Sequence, residues 1–511
     1  MRSDRRREIQ AQMEADRKDE MKKKGNIFCR TVSIIYTVLA VAFVVLLAWL
    51  NVLPAKYFWA GVVLLAVASL FIVPVMYSFH GKKGRKIGAT VVAFLLIAVF
   101  GVGTYYLADT LNFLGDITSI RQVTEDYHVV VKADFVGEDV SGISGQTVGT
   151  YMDNDLNYSE AKAMLQKEVN VEYAYEDGIS TLLEKLYSGE YSAILMSAAS
   201  YESLKGEHSE LETDTRILYT LKVPVETEDK TSAVDVTKEP FNVYISGIDA
   251  EGDIGTVSRS DVNMIATVNP VTHEVLLTAI PRDYYINLPT KGAKDKLTHS
   301  GLYGIQETIG AVEDFMGIDI NYYVKVNYTT VVKLVDAIGG IEVNSPYTFT
   351  TQMMKGMPEL NGITFVKGVN HLDGKKALAF CRERHSFVNG DMQRNENQQL
   401  VMEGILRKAM SSTTILTSYT SILDAVRNNV EINMSPDQMS AIIKMQLDGM
   451  PSWNIQKQAI KGANGTELCY ALGFAASVVY QDPEENARAV DEIVKIMTDD
   501  EDSNSDENTA E

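Results

Sequence analysis

The chain has 511 residues, of which 46% are hydrophobic, and its formal net charge is −21. This length exceeds that of one typical domain, and the apolar fraction is sufficient for a sizeable core. The acidic balance argues against a nucleic-acid-binding protein, because such surfaces are basic. The three cysteines, Cys29, Cys381 and Cys469, are too few and too scattered for a disulfide framework or a zinc site.

Three apolar runs open the chain, at residues 27–50, 57–79 and 87–108, and each can cross a hydrocarbon core of about 30 Å. Residues 1–30 carry ten Lys or Arg against six Asp or Glu, and residues 82–86 carry four more basic side chains. Because basic segments stay in the cytoplasm, we predict a cytoplasmic N-terminus (1–26), three transmembrane helices (27–108) and an extracellular remainder. A cleaved signal peptide fits less well, since no small-residue cleavage site follows the first run.

Two soluble units and a tail follow the apolar runs. Residues 115–235 alternate strand and helix patterns, which predicts a small extracellular α/β domain with a largely parallel sheet; we call it the accessory domain. Residues 223–239 are polar and acidic and predict a linker. The second unit spans residues 241–497, and the acidic residues 498–511 are predicted to be a disordered tail.

Strand patterns at residues 241–247, 262–269 and 274–280 predict a sheet in the second unit. If these strands pair as antiparallel neighbours, the end of the first, the start of the second and the end of the third meet at one edge. That edge would carry Asp249, Arg259, Asp261, Arg282 and Asp283. Convergence from separate strand ends is typical of a functional site and is not needed for folding.

A second charged segment lies further downstream. Residues 374–380 predict a short helix that gives way to extended chain, where Arg382 and Arg384 would project to the same side and grip a diphosphate. Asp391 is predicted to cap the next helix, with Arg394 and Gln398 on one face of it. Arginines pair with phosphate through a planar fork, and aspartates hold a divalent cation that shares the phosphate. Beside a membrane, both together suggest chemistry on a lipid-linked phosphate.

Several separated segments in this order resemble the LytR-CpsA-Psr family, over roughly residues 241–410. They are RSD at 259–261, IPRD at 280–283, KLTHSGLYG at 296–304, LVDAIGGIEV at 334–343, HLDGKKALAFCRER at 371–384 and GDMQRNENQQ at 390–399. Three membrane helices and an additional extracellular domain look most like the CpsA-type capsule-attachment members of Gram-positive bacteria. The resemblance implies an α/β domain with a central mixed sheet flanked by helices.

The resemblance also implies a phosphotransferase at the outer face of the cell membrane. Such enzymes move a glycopolymer, a capsular polysaccharide or a teichoic-acid-like polymer, from undecaprenyl pyrophosphate to a hydroxyl of peptidoglycan. By motif, the pyrophosphate would be bound by Arg259, Arg282, Arg382, Arg384, Arg394 and Gln398. Asp249 and Asp261 would hold Mg²⁺ or Mn²⁺ or activate the acceptor, and with Arg259 and Arg282 they form the predicted catalytic set.

The chain departs from the family pattern at two positions. Asn397 stands where many members have arginine, and His299 stands where others often carry asparagine. We expect His299 to be a structural, hydrogen-bonded histidine.

Two other functions remain open on the sequence. One is a polyprenyl-phosphate-binding receptor or regulator, whose accessory domain senses a ligand or docks membrane proteins of capsule assembly. The other is a pyrophosphatase that releases the polymer to water. These alternatives differ in whether the protein transfers, hydrolyses or only binds the lipid-linked donor.

Overall fold

A computed structural model describes residues 2–50, 53–78, 82–117, 124–151, 155–207, 210–225, 231–248, 254–255, 258–354, 356–411, 421–422, 424–425, 427 and 429–498. By their contacts the residues form two compact units. The first comprises Met1–Leu114 with Pro436–Met450, and the second comprises Gly115–Ser435 with Pro451–Glu511. The predicted tail, 498–511, lies outside the described residues apart from Thr498.

The first unit is built from long apolar helices. They are α1 (Arg2–Leu50), α2 (Ala55–Tyr77) and α3 (Lys83–Ile117). All three contain a stretch long and apolar enough to cross a membrane. Their small shared core includes Val32, Tyr36 and Phe100, while most of their large apolar side chains point outward, as lipid-facing residues do.

The accessory domain contains one five-stranded sheet. Its strands are β1 (Thr124–Lys132), β2 (Thr147–Thr150), β3 (Glu172–Tyr175), β4 (Ala193–Ser197) and β5 (Thr215–Pro224). Its helices are α4 (Leu156–Glu168), α5 (Ile179–Ser188), α6 (Ala198–Glu207) and α7 (Leu211–Asp214). The strand order is β3-β2-β4-β1-β5.

The predicted strands and helices of this domain are therefore present, but the prediction of a largely parallel sheet is wrong. β2 pairs in parallel with β3 and β4, whereas β1 is antiparallel to both β4 and β5. The helical crossovers keep β2 to β5 in one direction, as the alternating pattern predicts. β1 precedes every crossover, so the pattern does not set its direction, and it inserts between β4 and β5 in the opposite sense.

A six-stranded mixed sheet forms the centre of the second soluble part. Its strands in spatial order are β16 (Val430–Ile432), β11 (Tyr322–Val326), β6 (Phe241–Ile248), β7 (Ser260–Asn269), β8 (Glu274–Ala279) and β17 (Asn454–Ala459). The three sequence-predicted strands, β6, β7 and β8, are antiparallel neighbours as expected.

Helices cover both faces of this sheet. The helices of this part of the chain are α8 (Leu297–Ser300), α9 (Ile305–Met316), α10 (Tyr328–Ala337), α11 (Gly374–Arg382), α12 (Gly390–Ala409) and α14 (Pro483–Thr498), while α13 (Pro436–Gly449) belongs to the first unit. Ile309 of α9 and Ile493 of α14 pack on one face, and Leu406 of α12 packs on the other. The result is a mixed sheet flanked by helices, as the family resemblance implied.

Short antiparallel pairs complete the fold. They are β9 (Tyr285–Leu288) with β10 (Ala293–Lys296), β12 (Ile341–Ser345) with β15 (Gly368–Leu372), β13 (Phe349–Thr350) with β14 (Thr364–Phe365), and β18 (Gly462–Cys469) with β19 (Phe474–Gln481). We call Gly462–Gln481 the bridging hairpin. Its Cys469, Leu472 and Val478 are fully buried in the core of the accessory domain.

Candidate anion-binding site

The strand ends converge as the sequence predicted. Gly247 of β6 lies opposite Val262 of β7, and Met264 of β7 lies opposite Ala279 of β8, so the relevant ends share one edge. There Arg282 Nη1 donates a 2.7 Å hydrogen bond to Asp261 Oδ1. Asp249, predicted for the same edge, lies outside the described residues.

Asp261 is the central carboxylate of this edge. Its side chain is only 15% exposed, and Thr298 Oγ1 donates to the same oxygen at 3.2 Å. Burial by itself raises the pKa of Asp261, but Arg282, Arg394 and Arg259 together hold that pKa well below its usual range. Asp261 is therefore an anion at neutral pH, and Arg259 lies close enough to act on it electrostatically.

Arg282 lies between two carboxylates. Besides its bond to Asp261, its Nε lies 3.5 Å from Asp283 Oδ2, too far for a hydrogen bond. This Nε is buried without a hydrogen-bond partner among the described residues. Asp261, and after it Asp283 and Asp391, raises the pKa of Arg282 above its usual value against the effect of burial. Lys296 Nζ lies 3.5 Å from the other oxygen of Asp283 and is itself almost buried.

Arg394 is the least satisfied of these cations. It is 6% exposed, and its Nε and Nη2 are buried without a hydrogen-bond partner in the described part of the chain. Nη2 does lie 3.0 Å from Asp391 Oδ1, an ion-pair distance without hydrogen-bond geometry. Burial, and next the charge of Arg282, lowers the pKa of Arg394. The pairing with Asp391 does not prevent this, because that carboxylate is 58% exposed and screened by solvent.

The two downstream arginines have different surroundings. Arg384 lies 3.6 Å from Asp391 and acts on Arg394, so it belongs to the same charged group. Arg382 stacks on the Tyr328 ring at 4.3 Å and contacts Met357 Sδ at 2.9 Å. The extended chain predicted at Arg382 is wrong, because α11 continues to that residue and turns its side chain toward Tyr328.

The start of α12 also differs from expectation. The helix begins at Gly390 with Asn389 in the capping position, so Asp391 lies in the first turn and is not the cap. A carboxylate there still interacts favourably with the helix dipole. Glu383, in the loop between α11 and α12, accepts hydrogen bonds from the backbone N–H groups of Gln352 and Ser386, so it connects this loop to the segment that contains Gln352.

The two departures from the family pattern have structural roles. Asn397 Nδ2 donates to the Phe380 carbonyl at 3.2 Å, which joins α12 to α11. Gln398, the predicted phosphate contact, is 9% exposed in the following position of α12. His299 is buried, with Nδ1 2.7 Å from Asp295 Oδ1, as expected for a structural histidine.

The described charges therefore form one group, which we call the arginine cluster. It comprises Arg259, Arg282, Lys296, Arg384 and Arg394 with Asp261, Asp283 and Asp391. Lys296 and Thr298 are members of the site, or contact it, that were not predicted from the sequence. Both residues lie in the family motif at 296–304, within three positions of His299, the residue of that motif for which a role was predicted.

No group of three His, Cys, Asp or Glu side chains suited to a metal ion is found among the described residues. Mg²⁺, however, needs only one or two carboxylates when phosphate oxygens complete its shell. Both hydrogen bonds described for Asp261 are accepted by Oδ1, which leaves Oδ2 chemically suited to a hard cation.

A model of the LytR_cpsA_psr family matches residues 214–495, more than half of the chain. This chain belongs to the LytR-CpsA-Psr family. The match covers the six-stranded sheet, the arginine cluster and the bridging hairpin, and it begins at the last residue of α7, directly before β5 of the accessory domain.

Two similar proteins are both named polyisoprenyl-teichoic acid–peptidoglycan teichoic acid transferase TagU. The one from Enterococcus faecalis is 39% identical over 208 residues, which are 40% of this chain and 65% of that protein. The one from Bacillus mycoides is 35% identical over 221 residues, 42% of this chain and 69% of that protein. The chain thus covers slightly less than two thirds of the Enterococcus protein. The match with the crystal structure of B. subtilis TagU has 30% sequence identity and a TM-score of 0.39. It covers 51% of this chain and 98% of the TagU chain.

Proposed function

We propose that this protein is a membrane-anchored phosphotransferase that attaches an undecaprenyl-pyrophosphate-linked glycopolymer to peptidoglycan. The observation that carries the proposal is the buried, incompletely paired arginine pair, Arg282 and Arg394. Buried guanidinium donors without partners are costly, because each has lost its hydration. An anionic ligand with several acceptor oxygens would supply what they lack.

The charge of the arginine cluster favours a diphosphate over a simple carboxylate ligand. Among the described residues it contains five cations and three carboxylates, an excess of two positive charges. A pyrophosphate diester carries two negative charges and offers planar arginine forks several oxygens at once. The membrane helices and the names of the two TagU relatives support a polyisoprenyl-linked donor.

The proposed reaction is displacement at the phosphorus that bears the polymer. The acceptor hydroxyl of peptidoglycan attacks this phosphorus, the bond to the lipid phosphate oxygen breaks, and undecaprenyl phosphate leaves with the bonding electrons. Arg282 and Arg394 would stabilise the charge that develops on the transferred and leaving phosphates. A carboxylate at the metal, Asp249 or Asp261, would accept the proton of the attacking hydroxyl.

Mg²⁺ or Mn²⁺, held by Asp261 with the sequence-predicted Asp249, would add charge neutralisation at the pyrophosphate. The polymer proposed is a capsular polysaccharide or a teichoic-acid-like chain. The site would face the outside of the cell, in agreement with the basic residues of the N-terminal segments.

The decisive experiment incubates full-length protein in nanodiscs with a synthetic polyprenyl-pyrophosphate oligosaccharide and peptidoglycan fragments. We expect a phosphodiester-linked product, its loss in EDTA and its recovery with Mg²⁺. Release of free phosphorylated oligosaccharide without transfer would indicate a pyrophosphatase. Donor binding without turnover would indicate the receptor function, and full activity in EDTA would exclude the metal.

A further inference from the structure

The bridging hairpin is shared between the accessory domain and the domain that carries the arginine cluster. Cys469, Leu472 and Val478 are each 0% exposed and belong to the hydrophobic core of the accessory domain. The same hairpin follows β17 of the central sheet along the chain. Its position therefore depends on the packing of both domains.

The backbone of this hairpin holds one side of the arginine cluster. Val479, the residue after the buried Val478, donates its N–H to the carbonyl of Asp283 at 2.7 Å. Tyr284 also pairs with Val479 as an isolated parallel bridge. A shift of the hairpin would consequently move the segment that carries Arg282 and Asp283.

A second connection runs through Asp295. This carboxylate is 0% exposed and receives three hydrogen bonds of 2.7 Å. Two come from its own segment, from the N–H of Lys296 and from His299 Nδ1. The third comes from the N–H of Ala471, at the turn of the bridging hairpin. Asp295 thus ties that turn to the segment that begins α8.

This segment reaches the arginine cluster directly. The Thr298 N–H donates to the Arg282 carbonyl at 2.7 Å, and its hydroxyl donates to Asp261 at 3.2 Å. Lys296 lies beside Asp283. The described hydrogen bonds of Asp295 do not reach Asp261, Asp283 or Asp391. Asp295 therefore acts on these carboxylates through the neighbouring residues that it holds.

The accessory domain is joined to this region by buried charges as well as apolar contacts. Lys291, on the turn between β9 and β10, pairs with Glu125 at 2.9 Å and Asp155 at 3.4 Å. All three side chains are about nine-tenths buried, at 8%, 9% and 11% exposure. Tyr470 of the hairpin turn also donates to Asp155 at 3.0 Å. Buried charges of this kind are costly when left unpaired, which favours arrangements of the two domains that keep these contacts.

We infer that Asp295 is a positioning residue through which the accessory domain fixes the geometry of Asp261 and Arg282. The accessory domain is then part of the catalytic apparatus, although none of its residues belongs to the arginine cluster. This inference rests on the proposed function for its turnover measurements. It gives the additional extracellular domain a role in the reaction, beyond the selection of partners.

Variants of Thr298 in the full-length protein test the hydrogen bond from the Thr298 hydroxyl to Asp261. Thr298→Val removes the hydroxyl bonded to Asp261 and should lower kcat about tenfold with little change in KM, because one charge-assisted hydrogen bond is lost. Thr298→Ser keeps the hydroxyl and should restore turnover. Equal rates for Val and Ser variants would overturn the role of this contact.

Asp295→Asn tests whether both residues act through the same connection. We expect a similar loss of kcat, and the double variant Asp295→Asn with Thr298→Val should lose no more than the larger single loss. Independent, multiplicative losses would contradict the inference. If Asp295→Asn does not fold, Tyr470→Phe, which removes only the hydroxyl bonded to Asp155, replaces it in the cycle.

The contribution of the accessory domain is tested with a matched pair of carboxylates. Asp155→Asn weakens the interdomain pair with Lys291, whereas Glu176→Gln removes a carboxylate paired with Lys185 inside the accessory domain. We expect Asp155→Asn to lower kcat severalfold and Glu176→Gln to leave it unchanged. The same effect from both variants would show a general loss of stability and no positioning.

Binding of inorganic pyrophosphate separates failure of this inference from failure of the proposed function. If the wild-type protein binds pyrophosphate but transfers no polymer, the proposed function fails. The effect of Asp295 and of the accessory domain on the arginine cluster can then still be measured as a change in pyrophosphate affinity. Asp295→Asn and Asp155→Asn should then weaken calorimetric pyrophosphate binding severalfold, with Glu176→Gln unchanged. Unaltered affinity in all three variants would overturn the inference in that case.

Discussion

Arg282 and Arg394 illustrate how the same residue type is stabilised differently within one site. Arg282 has a buried carboxylate at 2.7 Å, and its pKa is raised. Among the described residues, the carboxylate at ion-pair distance from Arg394 is that of the exposed Asp391, and burial lowers the pKa of Arg394. A binding site that lacks its ligand commonly contains such an unfavourable charge, because stability is exchanged for affinity.

Replacement of Arg394 by methionine should therefore separate stability from binding. We expect Arg394→Met to keep or raise the melting temperature, since an incompletely paired buried charge is removed. Pyrophosphate affinity should fall about 10- to 100-fold, the effect of losing about 1.5–3 kcal/mol of charge-assisted bonding. Calorimetry and thermal denaturation measure the two effects. Arg407→Met is the control, because Arg407 lies on the same helix, is 56% exposed and pairs with Glu403.

Replacement of Asp261 should have the opposite effect on stability. Asp261→Asn leaves Arg282 buried beside a neutral partner, so we expect a loss of about 3–5 kcal/mol in the free energy of unfolding at pH 7. Added pyrophosphate should recover part of it by binding the folded state. A variant as stable as the wild type would contradict the buried ion pair.

The difference in unfolding free energy between the wild type and Asp261→Asn should depend on pH, because the pKa of Asp261 is lowered in the folded state. Its ionisation stabilises the folded state above the ordinary aspartate pKa of about 4, and that contribution is lost as the pH falls through the lower folded-state pKa. The gap in unfolding free energy between wild type and Asp261→Asn should hence shrink as the pH is lowered below about 4. Urea denaturation at several pH values measures it, and a constant gap would argue against ionisation as the cause.

The bridging hairpin makes the two soluble domains structurally dependent on each other, because it follows β17 of one domain and completes the core of the other. The polar linker at 223–239 predicted a boundary between the two soluble units, but the core of the accessory domain is completed by residues 469–478, more than 230 positions after residue 235. Removal of the accessory domain would expose that apolar surface and leave Lys291 without Glu125 and Asp155. We expect a chain beginning at Lys238 to be markedly less stable than the whole soluble part.

Two leucines of the hairpin provide a direct test. Leu472 is 0% exposed in the accessory core, whereas Leu468 is 59% exposed in the same hairpin. Leu472→Ala should lower the free energy of unfolding by about 2–5 kcal/mol, and Leu468→Ala by less than about 0.5 kcal/mol. Chemical denaturation of the soluble part measures both, and equal effects would show that the hairpin is not a shared core element.

For the whole molecule, the arrangement across the membrane is the main prediction still to be tested. A membrane-impermeant maleimide should label Ser159→Cys on intact cells but not Gln12→Cys, since the basic N-terminal segment is expected to be cytoplasmic. Both positions are exposed. Burial raises the pKa of Cys381 and of Cys469 to about 12, so these native thiols should remain unlabelled. Labelling of Gln12→Cys alone would invert the orientation.

The sequence by itself determined the local elements, the membrane helices and the edge where the charged segments meet. Apolar periodicity and turn residues act over short distances, and three strands joined by short connections have one simple antiparallel arrangement. The meeting of Arg282 with Asp261 follows from that arrangement, and the family motifs added the downstream arginines.

Only the tertiary structure decided the direction of β1, the stacking of Arg382 on Tyr328, and the contacts of Thr298, Lys296 and Asp295. Each depends on contacts between residues distant in the chain, such as Arg382 with Tyr328 and Asp295 with Ala471. Local patterns contain no information about which distant surface a strand, guanidinium or carboxylate will meet, since burial and pairing are set by packing of the whole core. For the same reason, the dependence of the accessory domain on the bridging hairpin could not be read from the linker between them.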